Sequence, residues 1–148
     1  ALIRPRLAAA LNVPVAASAL EQAVQIAASL PTGQNVGILT ISAATLSPAH
    51  LRAAGVPEGS PVVGLEGSSF ARTILGNWAE LDVAAARREM VQAGHDLVAG
   101  HPEVGAILME CTNMVPYAPE VAAETGRPVY SIHSYLNWFH AGLRPPRF

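Results

Sequence analysis

Two uninterrupted apolar runs, VGILTI at 36–41 and VGAILME at 104–110, constrain this chain more than any other feature. A strand with one face in water alternates apolar and polar residues. A strand apolar at nearly every position is buried on both faces, the habit of a parallel sheet covered by helices on either side. Shorter runs, VPVAAS at 13–18, PVVGLEG at 61–67 and PVYSI at 128–132, read as further strands. Helical stretches lie between them. Residues 2–11 carry Pro5 in the first turn, where a missing N–H costs little. Residues 21–30 stop at Pro31-Thr32-Gly33, and a third helix opens at Ser47-Pro48 and stops at Gly55. The longest helix is capped by Asp82 and ended by His101-Pro102. On it Val83, Ala86, Met90, Leu97 and Val98 fall near one face, while Arg87, Arg88 and Asp96 reach water. Residues 117–125 close on Gly126, and 134–143 form a closing amphipathic helix. This alternation predicts an α/β fold, a parallel sheet flanked by helices on both faces.

Ligands of such sheets bind beyond the carboxyl ends of the strands. That rule selects Ser18, residues 40–42, residues 66–69, residues 110–113 and residues 131–134. Charge removes other options. The chain has 148 residues and a formal net charge of -2, with no run of basic residues, so nothing in it calls for nucleic acid. No apolar run reaches the roughly 18 residues that span a bilayer, and the first dozen residues make a poor signal peptide. A single cysteine excludes an internal disulfide and suits a reducing, cytoplasmic setting.

Cys111 is the sharpest candidate for chemistry, because it follows directly on the run VGAILME and precedes a turn holding Asn113 and Pro116. Backbone N–H groups of such a turn lower a thiol's pKa and hold anions. Thr112 and Asn113 add a hydroxyl and an amide suited to a carboxylate. A buried structural thiol is an equal alternative. Glu110 raises the pKa of a thiol that it touches, yet adjacent strand residues point to opposite faces, leaving its role open between structure and catalysis. His133 lies on the same rim as an acid/base or orienting candidate, and Tyr117 either lines the site or packs. Ser18, Thr40, Ser42, Ser68 and Ser69 are anion-donor candidates. No histidine pair has metal-ligand spacing with Cys111, so no metal site is expected. The string GLEGSS lacks the spacing of a nucleotide loop, and no GxSxG elbow occurs. Trp78 and Trp138 read as core or interface residues.

The segment VGAILMECTNMVPYAPEVAAETGRPVYSIHSYLNWFHAGL resembles the closing part of the aspartate/glutamate racemase superfamily: a CTN turn after a buried strand, a helix, a TG break and a PV strand. NVPVAASAL and VGILTISAATLSPAHLRAAGVP resemble the end of that family's first lobe and the start of its second. The resemblance implies two facing α/β lobes around a small carboxylate, no cofactor, and one cysteine from each lobe on either side of the acidic carbon. Cys111 would then be the second-lobe thiol. Thr112 and Asn113 would hold the substrate carboxylate, Ser18 would approach from the first lobe, and Thr40 and Ser42 would border the cleft between lobes. The function implied is a cofactor-independent amino-acid racemase or isomerase working by thiol/thiolate proton transfer.

This chain departs from that pattern in having one cysteine where two are expected. Opening in a helix and then a strand is also a poor start for a doubly wound domain. Residues 1–34 therefore read as the remnant of a first lobe that is incomplete, 35–134 as the second lobe, and 135–148 as a closing helix and tail packing back toward the first. Two accounts stay open: an upstream segment carrying the second cysteine, or a one-cysteine enzyme like the arylmalonate decarboxylase or maleate isomerase branches. A non-catalytic lobe that binds a small acid is a third. Sheet edges and apolar surface left by an incomplete lobe favour a homo-oligomer, and Leu136, Trp138, Phe139 and Leu143 of the closing helix are the expected cover.

Overall fold

A computed structural model describes residues 1–147; Phe148, the end of the irregular tail, falls outside them. The two apolar runs form the central strands, β1 (Asn35–Thr40) and β3 (Val104–Met109). The shorter β2 (Val62–Gly64) pairs with β1 and β4 (Val129–Tyr130) with β3. All pairs are parallel and the spatial order is β2-β1-β3-β4. The fold is thus one α/β unit, a parallel sheet flanked by helices, as the apolar runs predict.

Alternation along the central strands divides the core into two layers. Leu39, Ile107 and Met109 face a layer built by α4 (Ser69–Leu75), α5 (Val83–Gly100) and α6 (Ala118–Thr125), through Phe70, Met90, Leu97 and Val121. Val36, Ile38, Ala106 and Leu108 face the opposite layer, where Leu20, Ala23 and Ile26 pack with Ala54. These come from a 3₁₀ turn (Ala19–Gln22), α2 (Ala23–Ser29) and α3 (Pro48–Ala54). Truncating a side chain as enclosed as Leu97 or Ile107 would cost about 2–5 kcal/mol. Gly37 lets α5 approach: a Cβ there would lie 2.8 Å from Leu97 and 3.0 Å from Val104.

Several expectations need correction. Residues 13–18 are not a strand; they run as irregular chain, with Val13 62% exposed. The reason is physical: Pro14 cannot donate to a ladder, and the run offers small side chains with little to bury. Residues 128–132 are therefore the fourth strand, not the fifth, and only two of them pair. Residues 19–29, expected in a remnant of another lobe, cover one face of this same sheet. Val83 opens α5 but is 53% exposed, off the face on which Ala86, Met90, Ala93, Gly94 and Leu97 are buried and Val98 packs as expected. The closing helix α7 (Ile132–Leu143) buries Tyr135 alone, leaving Leu136, Trp138 and Leu143 in solvent, so it does not provide the expected apolar cover within the chain. Trp78 is likewise on the surface, not in the core.

Polar anchors hold the outer elements. Ser131 and Ser134 form a capping box at the start of α7. Buried Gln22 donates through Nε2 to the carbonyls of Ser131 (2.8 Å) and Ala19 (3.1 Å), tying the 3₁₀ turn to that helix. Glu89 of α5 reaches the start of α4, accepting from the Ser69 amide (2.7 Å), the Phe70 amide (2.9 Å) and the Ser69 hydroxyl (3.0 Å). Burial alone would raise its pKa, but these donors and the Arg72 charge outweigh it and hold the carboxyl below its ordinary value. A group with a depressed folded pKa stabilises above its unfolded pKa, about 4.3, and loses that contribution as pH falls through the folded value. Glu89→Ala is expected to cost about 1–3 kcal/mol at pH 7 in urea unfolding. The gap to the wild type should narrow in acid, and a constant gap down to pH 3 would contradict this account.

Candidate active site at the carboxyl ends of β1 and β3

In the order β2-β1-β3-β4 the chain leaves β1 in one direction and reaches β3 on its other side, so the strand order reverses between β1 and β3. Crevices at such points are where open α/β sheets bind ligands. The pairing of Leu39 with Met109 places Thr40 and Glu110 at neighbouring strand ends. There the Thr40 hydroxyl donates to Glu110 Oε2 at 3.0 Å, and the Glu110 amide donates to the Leu39 carbonyl at 2.8 Å. The next residue, Cys111, caps a 3₁₀ turn (Thr112–Tyr117).

A cleft of about 320 Å³ opens here, lined among others by Ser18, Glu110, Cys111, Thr112 and Ile132. Ser18 enters through the irregular chain of 13–18, where its hydroxyl accepts from the Leu20 amide and starts the 3₁₀ turn that follows. Thr112 and Asn113 are exposed at the rim, and Cys111 is half-buried. The Met114 amide donates to the Cys111 carbonyl at 3.1 Å, and the sulfur itself makes no hydrogen bond as the N-cap of the turn, though the Asn113 and Met114 amides nearby favour its thiolate. The expected lowering of the thiol pKa is nonetheless overturned. Burial is the largest effect and pushes the pKa up, the Asn113 amide opposes it, and the nearby Glu110 charge adds to the rise. Glu110 and Cys111 therefore do interact, despite being successive residues at a strand end. In this state Cys111 is a thiol at neutral pH, a proton donor.

The remaining candidates lie elsewhere. Ser42 is buried below the loop after β1, where its hydroxyl accepts from the Thr45 amide at 3.3 Å and supports Glu66. Thr40 reaches the cleft through Glu110 alone. Tyr117 is buried and meets Phe70 edge-on at 5.9 Å, so it packs and does not line the site. His133 is exposed in the first turn of α7, beside the Asn137 amide at 3.1 Å. Ser68 caps α4 and Ser69 serves Glu89, so neither hydroxyl is at the cleft. Ile132, within the strand-end positions 131–134, forms apolar wall together with Ala17 and Ala19, which pattern-reading missed because such small residues carry no signal of their own. The Thr40–Glu110 bridge was within reach, since both residues fall among the positions at the carboxyl ends of the two long apolar runs. Among the described residues no three of His, Cys, Asp and Glu gather as metal ligands, and no helix is long and apolar enough to cross a membrane.

Comparison with known proteins adds one relative. A dimethylsulfoniopropionate lyase from Durusdinium sp. clade D is 29% identical over 143 residues, covering 91% of this chain and 47% of that lyase. The chain thus spans about half the length of the curated relative it matches. No protein-family model matches.

Removing the Glu110 charge while keeping its hydrogen-bond acceptor, as in Glu110→Gln, should move the Cys111 titration to lower pH. The pH profile of iodoacetamide alkylation reads this directly. A wild-type inflection below the ordinary thiol value, about 8.5, would overturn the electrostatic account.

Proposed function

We propose that this chain carries the cysteine side of a cofactor-independent enzyme that moves the α-proton of a small carboxylate, and that its reaction is an elimination of the lyase type. The observation that carries the reading is the placement of Cys111 and Glu110 on one cleft wall at the point where strand order reverses. The similarity to a dimethylsulfoniopropionate lyase supports a β-sulfonio carboxylate as the substrate class.

The chemistry follows from the groups present. Thr112 and the Asn113 side chain, exposed at the rim, hold the substrate carboxylate. A raised thiol pKa makes the Cys111 thiolate, once formed, a stronger base. A cationic sulfonium group arriving beside the sulfur favours the thiolate by Coulomb attraction, so the thiol gives its proton to water as the substrate binds and the substrate itself primes the base. The thiolate takes the α-proton, the C–H electron pair becomes the Cα–Cβ double bond, and the Cβ–S bond breaks with its electrons leaving on sulfur. The products are dimethyl sulfide and acrylate, and the proton remains on Cys111. Glu110, held by Thr40, keeps the sulfur protonated between turnovers. Without a β leaving group the same proton transfer is racemisation, the reaction that the racemase resemblance implies. The two-lobe architecture of that family, with this chain supplying the second lobe, belongs to the same proposal.

Incubation with dimethylsulfoniopropionate should release dimethyl sulfide into the headspace with an equal amount of acrylate. Cys111→Ala should lower the rate by about 10²–10⁴-fold. Release of dimethyl sulfide undiminished in Cys111→Ala would remove the role of the thiol. Solvent deuterium entering an amino acid's α-position, with no elimination, would favour racemisation over a lyase.

A further inference from the structure

Glu110 belongs to the wall of the Cys111 cleft, and half of its carboxylate is unspent. Oε2 accepts the hydroxyl of Thr40 at 3.0 Å, and Thr40 is itself buried, so the group is held in place. Oε1 accepts no hydrogen bond. Unlike Glu21 Oε1 and Glu120 Oε2, it is not sealed from solvent. Nor is the charge balanced. The ion pairs among the described residues join Arg4 to Glu21, Arg87 to Glu120 and His101 to Glu103, and none reaches Glu110. No arginine or histidine lines the cleft; Ala1 does, but its amine forms no ion pair there.

A half-buried carboxylate without a countercharge repels any anion bound beside it. A plain carboxylate held by Thr112 and Asn113 would meet that repulsion for as long as it stayed bound. The other polar side chains of the wall have the opposite character. The Ser18 hydroxyl accepts from the Leu20 amide at 3.3 Å and leaves its own proton uncommitted, and the Thr112 hydroxyl makes no hydrogen bond at all. Free donors for a carboxylate and one open acceptor for a cation in the same cleft are complementary to a zwitterion. Charge also links Glu110 to the thiol, whose pKa burial raises and Glu110 raises further. A positive head seated at Oε1 cancels the Glu110 contribution, so a bound cation releases the thiol proton to water more readily than a neutral group of the same shape.

We propose that Glu110 is the specificity-determining residue of this cleft: its open Oε1 seats the positive head of a zwitterionic carboxylate and selects such substrates over plain carboxylates. This rests on the reading of the Cys111 cleft as an active site and adds to it the group that recognises the substrate's cation.

The probe is trimethylammoniopropanoate, a zwitterion whose head is a poor leaving group. The control is the propanoate with a tert-butyl group in place of trimethylammonium, which keeps shape and carboxylate and loses the positive charge. Both are titrated into the whole chain by calorimetry. The zwitterion should bind saturably and the control at least about tenfold more weakly. Glu110→Gln keeps an acceptor for Thr40 and should weaken the zwitterion by about tenfold while sparing the control, so that the gap closes. Absence of saturable zwitterion binding, equal binding of the control, or a full preference retained in Glu110→Gln would each overturn the proposal. If Glu110→Gln fails to fold, the ultraviolet titration of the single thiol decides. Cys111 should then ionise at lower pH with the zwitterion bound than with the control bound, and identical titrations would overturn the proposal. Elimination is scored separately. A preference for the zwitterion without release of dimethyl sulfide from dimethylsulfoniopropionate keeps the role of Glu110 and removes the lyase reading; release without the preference does the reverse.

Discussion

The pairing of β1 with β3 is the contact on which the rest depends. Both strands are buried along nearly their whole length, so each contributes side chains to the two layers at once. A slip of one residue in either strand would turn Ile38 and Leu108 toward the α5 layer and Leu39 and Met109 away from it. The register is therefore held by the core as much as by ladder hydrogen bonds. That register also brings Thr40 and Glu110 to the same height at the sheet edge, so the geometry of the cleft is inherited from core packing. The reversal of strand order at this pair then opens the crevice beside Cys111.

Two anionic groups show how local balance decides protonation. Glu89 and Cys111 each meet backbone amides at the start of a short helical turn, and burial opposes ionisation of both. For Glu89 the donors win, because carboxylate oxygens accept strongly and Arg72 adds a positive charge. For Cys111 they lose, because sulfur accepts weakly and the adjacent charge is that of Glu110. One arrangement fixes a structural carboxylate; the other leaves a protonated thiol, because burial outweighs the donors there and the Glu110 charge adds to it.

The sheet and its helices were legible because the apolar runs at 36–41 and 104–110 have one physical solution, burial on both faces. Helix ends at Gly55, Gly126 and Asp82 were legible for the same reason, each residue type being the one its backbone position favours. Residues 13–18 misled because a short run of Val, Pro and Ala satisfies a strand pattern without having a strand's partners. Strand ends select Glu110, Cys111 and Thr112, which do line one cleft, and Ser18 joins them from irregular chain, not from the strand end expected of it. His133, expected on the rim, stands exposed in the first turn of α7 beside Asn137, and Tyr117, open in the sequence between lining the site and packing, packs in the core against Phe70. The sign of the Cys111 shift was illegible, since it depends on how far Glu110 and the cleft walls approach the sulfur.

The exposed rim sets a physical requirement on the proposed chemistry. Thr112 and Asn113 stand in water while the sulfur behind them is half-buried. Abstraction of a carbon-bound proton gains from a site closed to solvent, where Coulomb attraction between thiolate and sulfonium is not damped. The floor of the cleft, with Ile132, Ala17 and Ala19, is already apolar; its outer side is not. Closure over Thr112 and Asn113 is what a facing lobe supplies in the two-lobe arrangement proposed above, and the side chains most in need of partners on that rim are polar ones suited to a carboxylate. An apolar lid packed directly on this chain would bury the Thr112 hydroxyl and Asn113 amide without partners, at a cost of about 1–3 kcal/mol each. A substrate carboxylate lying between the two surfaces removes that cost, so closure and substrate binding favour one another.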